Sequence, residues 1–155
     1  MAAYGLGAGE ARSLQLDDVD WTHRTLRICR PKTRQEVLLP LLPAVARALA
    51  AYVRRGRPRT NARALFVRAR APHDALKTAT AIGHILVKHA RRAGVRATFL
   101  GSHALRHSHA SRQIDLGASQ KIVGDILGHR SPSSTSAYVR VALRRLRTLA
   151  LPVPR

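Results

Sequence analysis

The sequence predicts an α+β domain, mostly helical, with a small antiparallel β-sheet on one side. Three observations lead there. At 155 residues, 45% apolar and 23% charged, the chain is long enough to bury one hydrophobic core and too apolar to stay disordered. Two short apolar runs, at 25–29 and 36–41, have strand length and flank a turn at 31–34. Most of the remainder places apolar residues at helical spacing and ends each such stretch at a glycine, as at Gly56, Gly94, Gly117 and Gly128.

Taken in order, residues 9–16 read as a short helix running into the acidic turn Asp17-Asp18, with Leu14 and Leu16 as core contacts. Leu26 and Ile28 then alternate with polar neighbours, and the run at 36–41 returns to form a hairpin. Residues 43–55 form a helix: Pro43 sits in the first turn, where its missing N–H has no partner to lose, and Val45, Leu49, Tyr52 and Val53 share one side. The segment 54–63, rich in Arg, Pro and Gly, is a loop, and 65–67 is a short extended piece. Residues 80–92 carry a strong helical pattern, with Ile82, Ile85 and Leu86 directed inward. Helices follow at 103–116 and 120–127, then near 133–141, capped by Ser133 or Ser134, and at 143–150, where Leu143, Leu146 and Leu149 recur in steps of three. No internal repeat interrupts this order.

Lys and Arg outnumber Asp and Glu 28 to 8, a net charge of +20. So small a body repels itself unless a polyanion supplies the counter-charge, and nucleic acid is the natural partner. The first 36 residues are nearly balanced. Beyond Glu36 the acids are only Asp74, Asp115 and Asp125. The preference for Arg over Lys suits a guanidinium that grips phosphate oxygens two at a time, and a GC-rich genome would equally account for it, but codon bias does not explain the scarcity of acids. The single cysteine, Cys29, rules out an internal disulfide and fits a reducing cytoplasm. No stretch approaches the roughly 20 apolar residues that span a bilayer, so the expectation is a soluble, cytoplasmic protein without a membrane partner.

The sharpest pattern is His103-Ala104-Leu105-Arg106-His107, then Leu127-Gly128-His129, then Tyr138. His103 and Arg106, three apart, share one face of a helix. These residues resemble the signature of the tyrosine recombinase, or phage integrase, family: a His-x-x-Arg box, a Leu-Gly-His box and a nucleophilic tyrosine, at gaps of 23 and nine residues here. Pro31-Lys32-Thr33-Arg34, ahead of Val37 to Leu41, resembles the family's hairpin with its catalytic lysine. The likeness runs from Gly5 to about Val141.

The resemblance implies an integrase-like catalytic domain that breaks and rejoins double-stranded DNA for site-specific recombination or integration. Tyr138 would attack the scissile phosphate to give a 3′-phosphotyrosine, which keeps the bond energy for rejoining, so that neither metal nor other cofactor is required. Arg106 would neutralise the non-bridging oxygens, His103 and His129 would donate hydrogen bonds or shuttle protons, and Lys32 would protonate the leaving 5′ oxygen. Arg34, Arg112, Lys121 and Arg130 are the candidate DNA-binding residues. The leucine-spaced basic segment 143–155 is a candidate contact for a homo-oligomer assembled on DNA.

Two departures from the family pattern stand out. Its first box reads roughly Thr-Gly-Leu-Arg-x-x-Glu, whereas Tyr4-Gly5-Leu6-Gly7-Ala8-Gly9-Glu10 places Gly7 where the first catalytic arginine belongs. Losing one preorganised donor of this kind lowers a rate about 10²- to 10³-fold. Arg12, five residues on and about 140° around a helix, points elsewhere. In addition, the chain read as a single catalytic domain, 1–155, lacks the N-terminal DNA-clamping domain and first helix that family members carry. Hence the alternative reading, a catalytically impaired DNA-binding remnant of an integrase from a mobile element.

Other readings are weaker. Gly5, Gly7 and Gly9 do not make a dinucleotide fingerprint, because no strand precedes them and no βαβ pattern follows. A zinc site built on His103, His107 and His109 would want an intervening Glu and a further ligand, but Arg106 lies among them. An RNA-stacking platform is disfavoured because Trp21, Phe66 and Phe99 are scattered.

Overall fold

Side chains alternate across a strand, so the spacing of Leu26 and Ile28 commits both to one face of the hairpin. The computed structural model, which describes residues 1–30, 35–96 and 101–128, bears this out. β2 (Thr25–Cys29) pairs antiparallel with β3 (Glu36–Pro40), with Leu26 opposite Leu39 and Ile28 opposite Val37. Leu26 and Ile28 are 2% and 1% exposed, whereas Arg27 and Cys29 face outward. A two-residue strand, β1 (Val19–Asp20), joins the other edge of β2, giving the order β1-β2-β3. Nothing in two residues announces a strand; its partner defines it.

The described residues fall into two compact units, one within residues 7–102 and one made of residues 1–6 with 103–128. In the first, helix α1 (Ala8–Ser13) packs on the sheet strand β2 and on helix α3 (Thr80–Arg92). Its core collects Ala11, Leu14, Leu26, Ile28, Leu65 and Val67, all buried. Full burial of each large aliphatic side chain contributes about 1.5–3 kcal/mol. α1 is shorter than the 9–16 helix expected. Leu14 leaves helical dihedrals (φ −57°, ψ 134°) to enter the core, and a 3₁₀ turn, Leu16–Asp18, follows, with Asp18 accepting the Gln15 N–H at 2.8 Å. Leu16 is only half-buried.

Helix α2 (Pro43–Ala51) begins at its proline as expected and unwinds into a π-helical turn, Tyr52–Gly56, so Arg54 and Arg55 belong to a helical end rather than to the loop. The residues expected on one side, Val45, Leu49, Tyr52 and Val53, are all half-buried. The expected extended piece at 65–67 does not form a strand: isolated bridges join Gln15 to Ala64 and Val67 to Ala75, and Leu65 and Phe66 between them make a bend. α3 has the expected bounds, but one of its predicted inward residues is misplaced: Ile85 is 51% exposed, while Ile82 and Leu86 are half-buried. Periodicity gives a helix its apolar side only to within a residue or two, and here the packed side is the narrower one.

The second unit contains helices α4 (Ser102–Asp115) and α5 (Gln120–Leu127). Ala110, Val123 and Leu127 form its buried centre, with Ile114 and Ala118 packed around them. α5 is capped at both ends. The Ser119 hydroxyl accepts the Ile122 N–H at 3.3 Å, and Gly128 takes the left-handed conformation, φ 68°, that terminates a helix. The expected turn at 31–34 and the helices at 133–141 and 143–150 lie outside the described residues.

Candidate active site

Helical spacing puts His103 and Arg106 on one side of α4. His103 is exposed, while the half-buried Arg106 turns its guanidinium into the unit. One nitrogen, Nη1, donates to the Gly5 carbonyl at 3.1 Å, and Nη2 donates to the carbonyl of Leu127. Three sequence boxes therefore meet at one side chain: the Tyr-Gly-Leu segment through Gly5, the His-x-x-Arg box through Arg106, and the Leu-Gly-His box through Leu127. A planar fork of five donors is suited to hold two backbone carbonyls in fixed directions.

Gly5 is the tightest point of this cluster. Its φ of +63° lies in the left-handed region, and a Cβ there would come within 2.6 Å of Leu127 Cδ2 and 2.8 Å of His109 Cδ2. His109, the next turn along α4 from Arg106, is half-buried. Burial, reinforced by the neighbouring charges of Arg106 and Arg112, holds its pKa below the usual 6.5, against the opposing effect of a hydrogen bond with the Ala2 backbone. Beside it a groove of about 370 Å³ is lined by Leu105, Ser108, Arg112 and Gln113, among others. Arg112 is exposed, and Lys121, also exposed, pairs with Asp125 at 3.1 Å.

In the other unit, Gly7 is the N-cap of α1 and contributes backbone only. Its N–H donates to Glu10 Oε2 at 2.7 Å, and Glu10 Oε1 lies 3.6 Å from Nη1 of Arg30. Arg30 is 5% exposed. Its backbone N–H donates to the Gln35 carbonyl at 2.9 Å, extending the β2–β3 pairing by one step past Cys29 and Glu36. Arg12 directs Nη1 to the Leu76 carbonyl at 3.3 Å, in keeping with the expectation that it does not stand in at position 7.

Of the residues singled out from sequence, His103, Arg106, Arg112, Lys121 and Gly7 are described, and Lys32, Arg34, His129, Arg130 and Tyr138 lie outside the described residues. Sequence reasoning passed over Arg30, although the signal was present. The alternation that buries Leu26 and Ile28 continues to position 30, so an arginine was due on the inward face. Among the described residues no group of three His, Cys, Asp or Glu could hold a metal ion, and no helix is long and apolar enough to cross a membrane.

Comparison with known proteins gives a consistent result. The sequence model of the phage integrase family matches residues 1–145. A putative integrase/recombinase of Sinorhizobium fredii is 41% identical over 155 residues, covering 99% of this chain and 79% of its own. The tyrosine recombinase XerD of Mycobacterium tuberculosis is 36% identical over 151 residues, covering 93% of this chain and 47% of its own. Among solved structures, the XerH site-specific recombinase bound to a palindromic difH substrate superposes with a TM-score of 0.76 at 22% identity, over 96% of this chain and 42% of that one. The last likeness is one of fold. This chain thus spans less than half the length of either Xer protein.

Proposed function

We propose, because this chain belongs to the phage integrase family, that it carries the strand-breaking and rejoining chemistry of a site-specific DNA recombinase. The observation that carries the reading is Arg106, whose guanidinium joins the Gly5 and Leu127 carbonyls and so draws three family boxes together within one unit. The DNA-bound XerH structure supports duplex DNA as the substrate, and the net charge of +20 supports it independently.

The chemistry is a transesterification. The Tyr138 oxygen attacks the scissile phosphorus, its proton passes to a histidine, and the P–O bond to the 5′ oxygen breaks as Lys32 protonates that oxygen. The product is a 3′-phosphotyrosine and a free 5′ hydroxyl, and the reverse reaction with a different 5′ hydroxyl rejoins the strands. An ordinary lysine, with a pKa near 10.4, is charged at neutral pH and needs little tuning to act as the acid. Arg106 balances charge on the non-bridging oxygens, and His103 and His129 supply hydrogen bonds. Arg34, Arg112, Lys121 and Arg130 bind the backbone, and 143–155 joins protomers on DNA. The proposed compartment is the cytoplasm, and the proposed host a mobile element.

A suicide duplex nicked near the cleavage site tests this. A covalent protein–DNA adduct is expected, lost in Tyr138→Phe and reduced at least about 10²-fold in Arg106→Ala. An adduct untouched by Tyr138→Phe would end the proposed mechanism. A second reading, DNA binding without turnover, is favoured by one observation: Gly7 offers no side chain to a phosphate. It predicts an adduct only after Gly7→Arg.

A further inference from the structure

Tryptophan is on average highly buried, because its ring takes a large apolar area out of water. Trp21, the only tryptophan of the chain, is instead 47% exposed. It stands in the turn at 21–24 between β1 and β2, and that turn is held from within. Asp20 Oδ1 accepts the Thr22 and His23 N–H groups at 3.0 and 2.8 Å, its Oδ2 meets His23 Nδ1 at 2.7 Å, and the Arg24 carbonyl accepts the Leu41 N–H at 2.7 Å. Beside the ring is a cleft of about 220 Å³, lined among the described residues by Trp21, Ala50, Val53 and Arg54. All four belong to the first unit.

The cleft has an aromatic and apolar wall and a cationic rim. Ala50 and Val53 are half-buried, whereas Arg54 is exposed, as are Arg47, one turn before Ala50, and Arg55. Among the described residues no carboxylate pairs with any of these three arginines. No Asp or Glu occurs between Glu36 and Asp74, and Asp20, in the neighbouring turn, has both oxygens engaged there. A free ring face flanked by unopposed guanidinium groups suits a ligand that is both flat and anionic. A nucleotide is both.

We infer that this cleft binds an unpaired nucleotide of single-stranded DNA, its base stacked on Trp21 against Ala50 and Val53 and the adjoining phosphates on Arg54 and Arg47. The scattered aromatics of the chain give no platform for a run of bases, but one base needs only one ring. In a duplex the bases stack on one another and offer no free face, so the cleft selects single strands. An acidic peptide would satisfy the arginines and leave the indole unused. The inference takes DNA as the partner from the reading above but needs no strand cleavage, so the two can fail separately.

Because Trp21 is the only tryptophan, its emission reports this cleft alone. The full chain is titrated with a short oligothymidylate, with an abasic oligomer carrying the same number of phosphates, and with polyglutamate. Oligothymidylate is expected to quench the emission saturably, and the other two to leave it nearly unchanged. Trp21→Leu, followed by the anisotropy of labelled oligothymidylate, is expected to bind about 5- to 150-fold more weakly, the loss of one stacked base, and Trp21→Phe to bind between it and the parent. Arg54→Ala, at an exposed position, is expected to melt like the parent and to reduce the salt slope by about 0.7, one phosphate contact on a single strand. Oligothymidylate that leaves the emission unchanged, an abasic oligomer that quenches as strongly, or a folded Trp21→Leu that binds as tightly as the parent would overturn the inference. Equal quenching by polyglutamate would overturn it in favour of an acidic protein partner. Should Trp21→Leu lose its melting transition, the parent's emission and Arg54→Ala still decide the matter. A missing Tyr138-dependent adduct would touch only the recombinase reading.

Discussion

Gly5 shows how little latitude a single position can have. Its left-handed φ of +63° disfavours any Cβ, and Leu127 and His109 already occupy the space a Cβ would enter. Gly5→Ala is therefore expected to destabilise the protein by at least about 2 kcal/mol, combining backbone strain with overpacking. Because the displaced neighbours include Leu127, whose carbonyl Arg106 holds, adduct formation should fall with it. Urea unfolding and the nicked-duplex assay measure the two effects. His109 makes a prediction about pH. Burial lowers its folded-state pKa below 6.5, so the unfolded chain takes up the proton more readily. The penalty is absent above the unfolded value and grows as pH falls below about 6.5 toward the folded one. The urea midpoint should decline over that interval, and His109→Gln should decline less. An equal slope in the variant would assign the acid sensitivity to another group.

At the scale of elements, the loop from 57 to 65 is held by one side chain. The Arg57 guanidinium donates to the Ala62, Ala64 and Leu65 carbonyls at 2.5, 2.9 and 3.2 Å, and Ala64 and Leu65 are buried behind it. Arg57→Leu is expected to cost at least about 2 kcal/mol, since each net hydrogen bond from a charged donor is worth about 1.5–3 kcal/mol and three carbonyls lose theirs. Arg57→Lys should do little better, because an ammonium cannot present the same planar fork. Denaturant midpoints of the three proteins decide it. No sequence rule finds such a staple, because the carbonyls it binds carry no side-chain signature. The helices were legible where local chemistry marks their ends: α3 stops before Gly94 and α5 ends at Gly128, glycines with positive φ. Where a partner decides the outcome, the sequence was silent. β1 exists through β2, and Ile85 faces out because of what α3 packs against. The candidate site divides in the same way. The boxes around Arg106 were readable from spacing, whereas its hold on two carbonyls and the burial of Arg30 depend on residues distant in the chain, Gly5 and Leu127 for the one and Glu10 for the other.

For the whole molecule the governing quantity is charge. Several of the eight acids are already engaged: Asp17 with Arg63, Asp18 with Arg27, Glu10 with Arg30 and Asp125 with Lys121. Such pairs cancel locally and leave the excess of Arg and Lys to set the distant field, so the protein should approach DNA through a largely unopposed positive potential. Each phosphate neutralised releases condensed counterions, and the logarithm of affinity falls with the logarithm of salt at a slope of about −0.9 per contact. Even about six contacts imply a loss of about 10³-fold between roughly 50 and 200 mM salt. Arg112→Ala should reduce the slope by about one and weaken binding similarly across DNA sequences, as a backbone contact does. Lys121→Ala should do the same only if DNA displaces Asp125 from the ammonium, so its slope reports whether that exposed ion pair opens on binding. Tyr138→Phe removes a nucleophile and no charge, and its slope should match the parent's. Fluorescence anisotropy over a salt series measures all four proteins, and a slope near zero in the parent would mean that the excess charge serves some partner other than DNA.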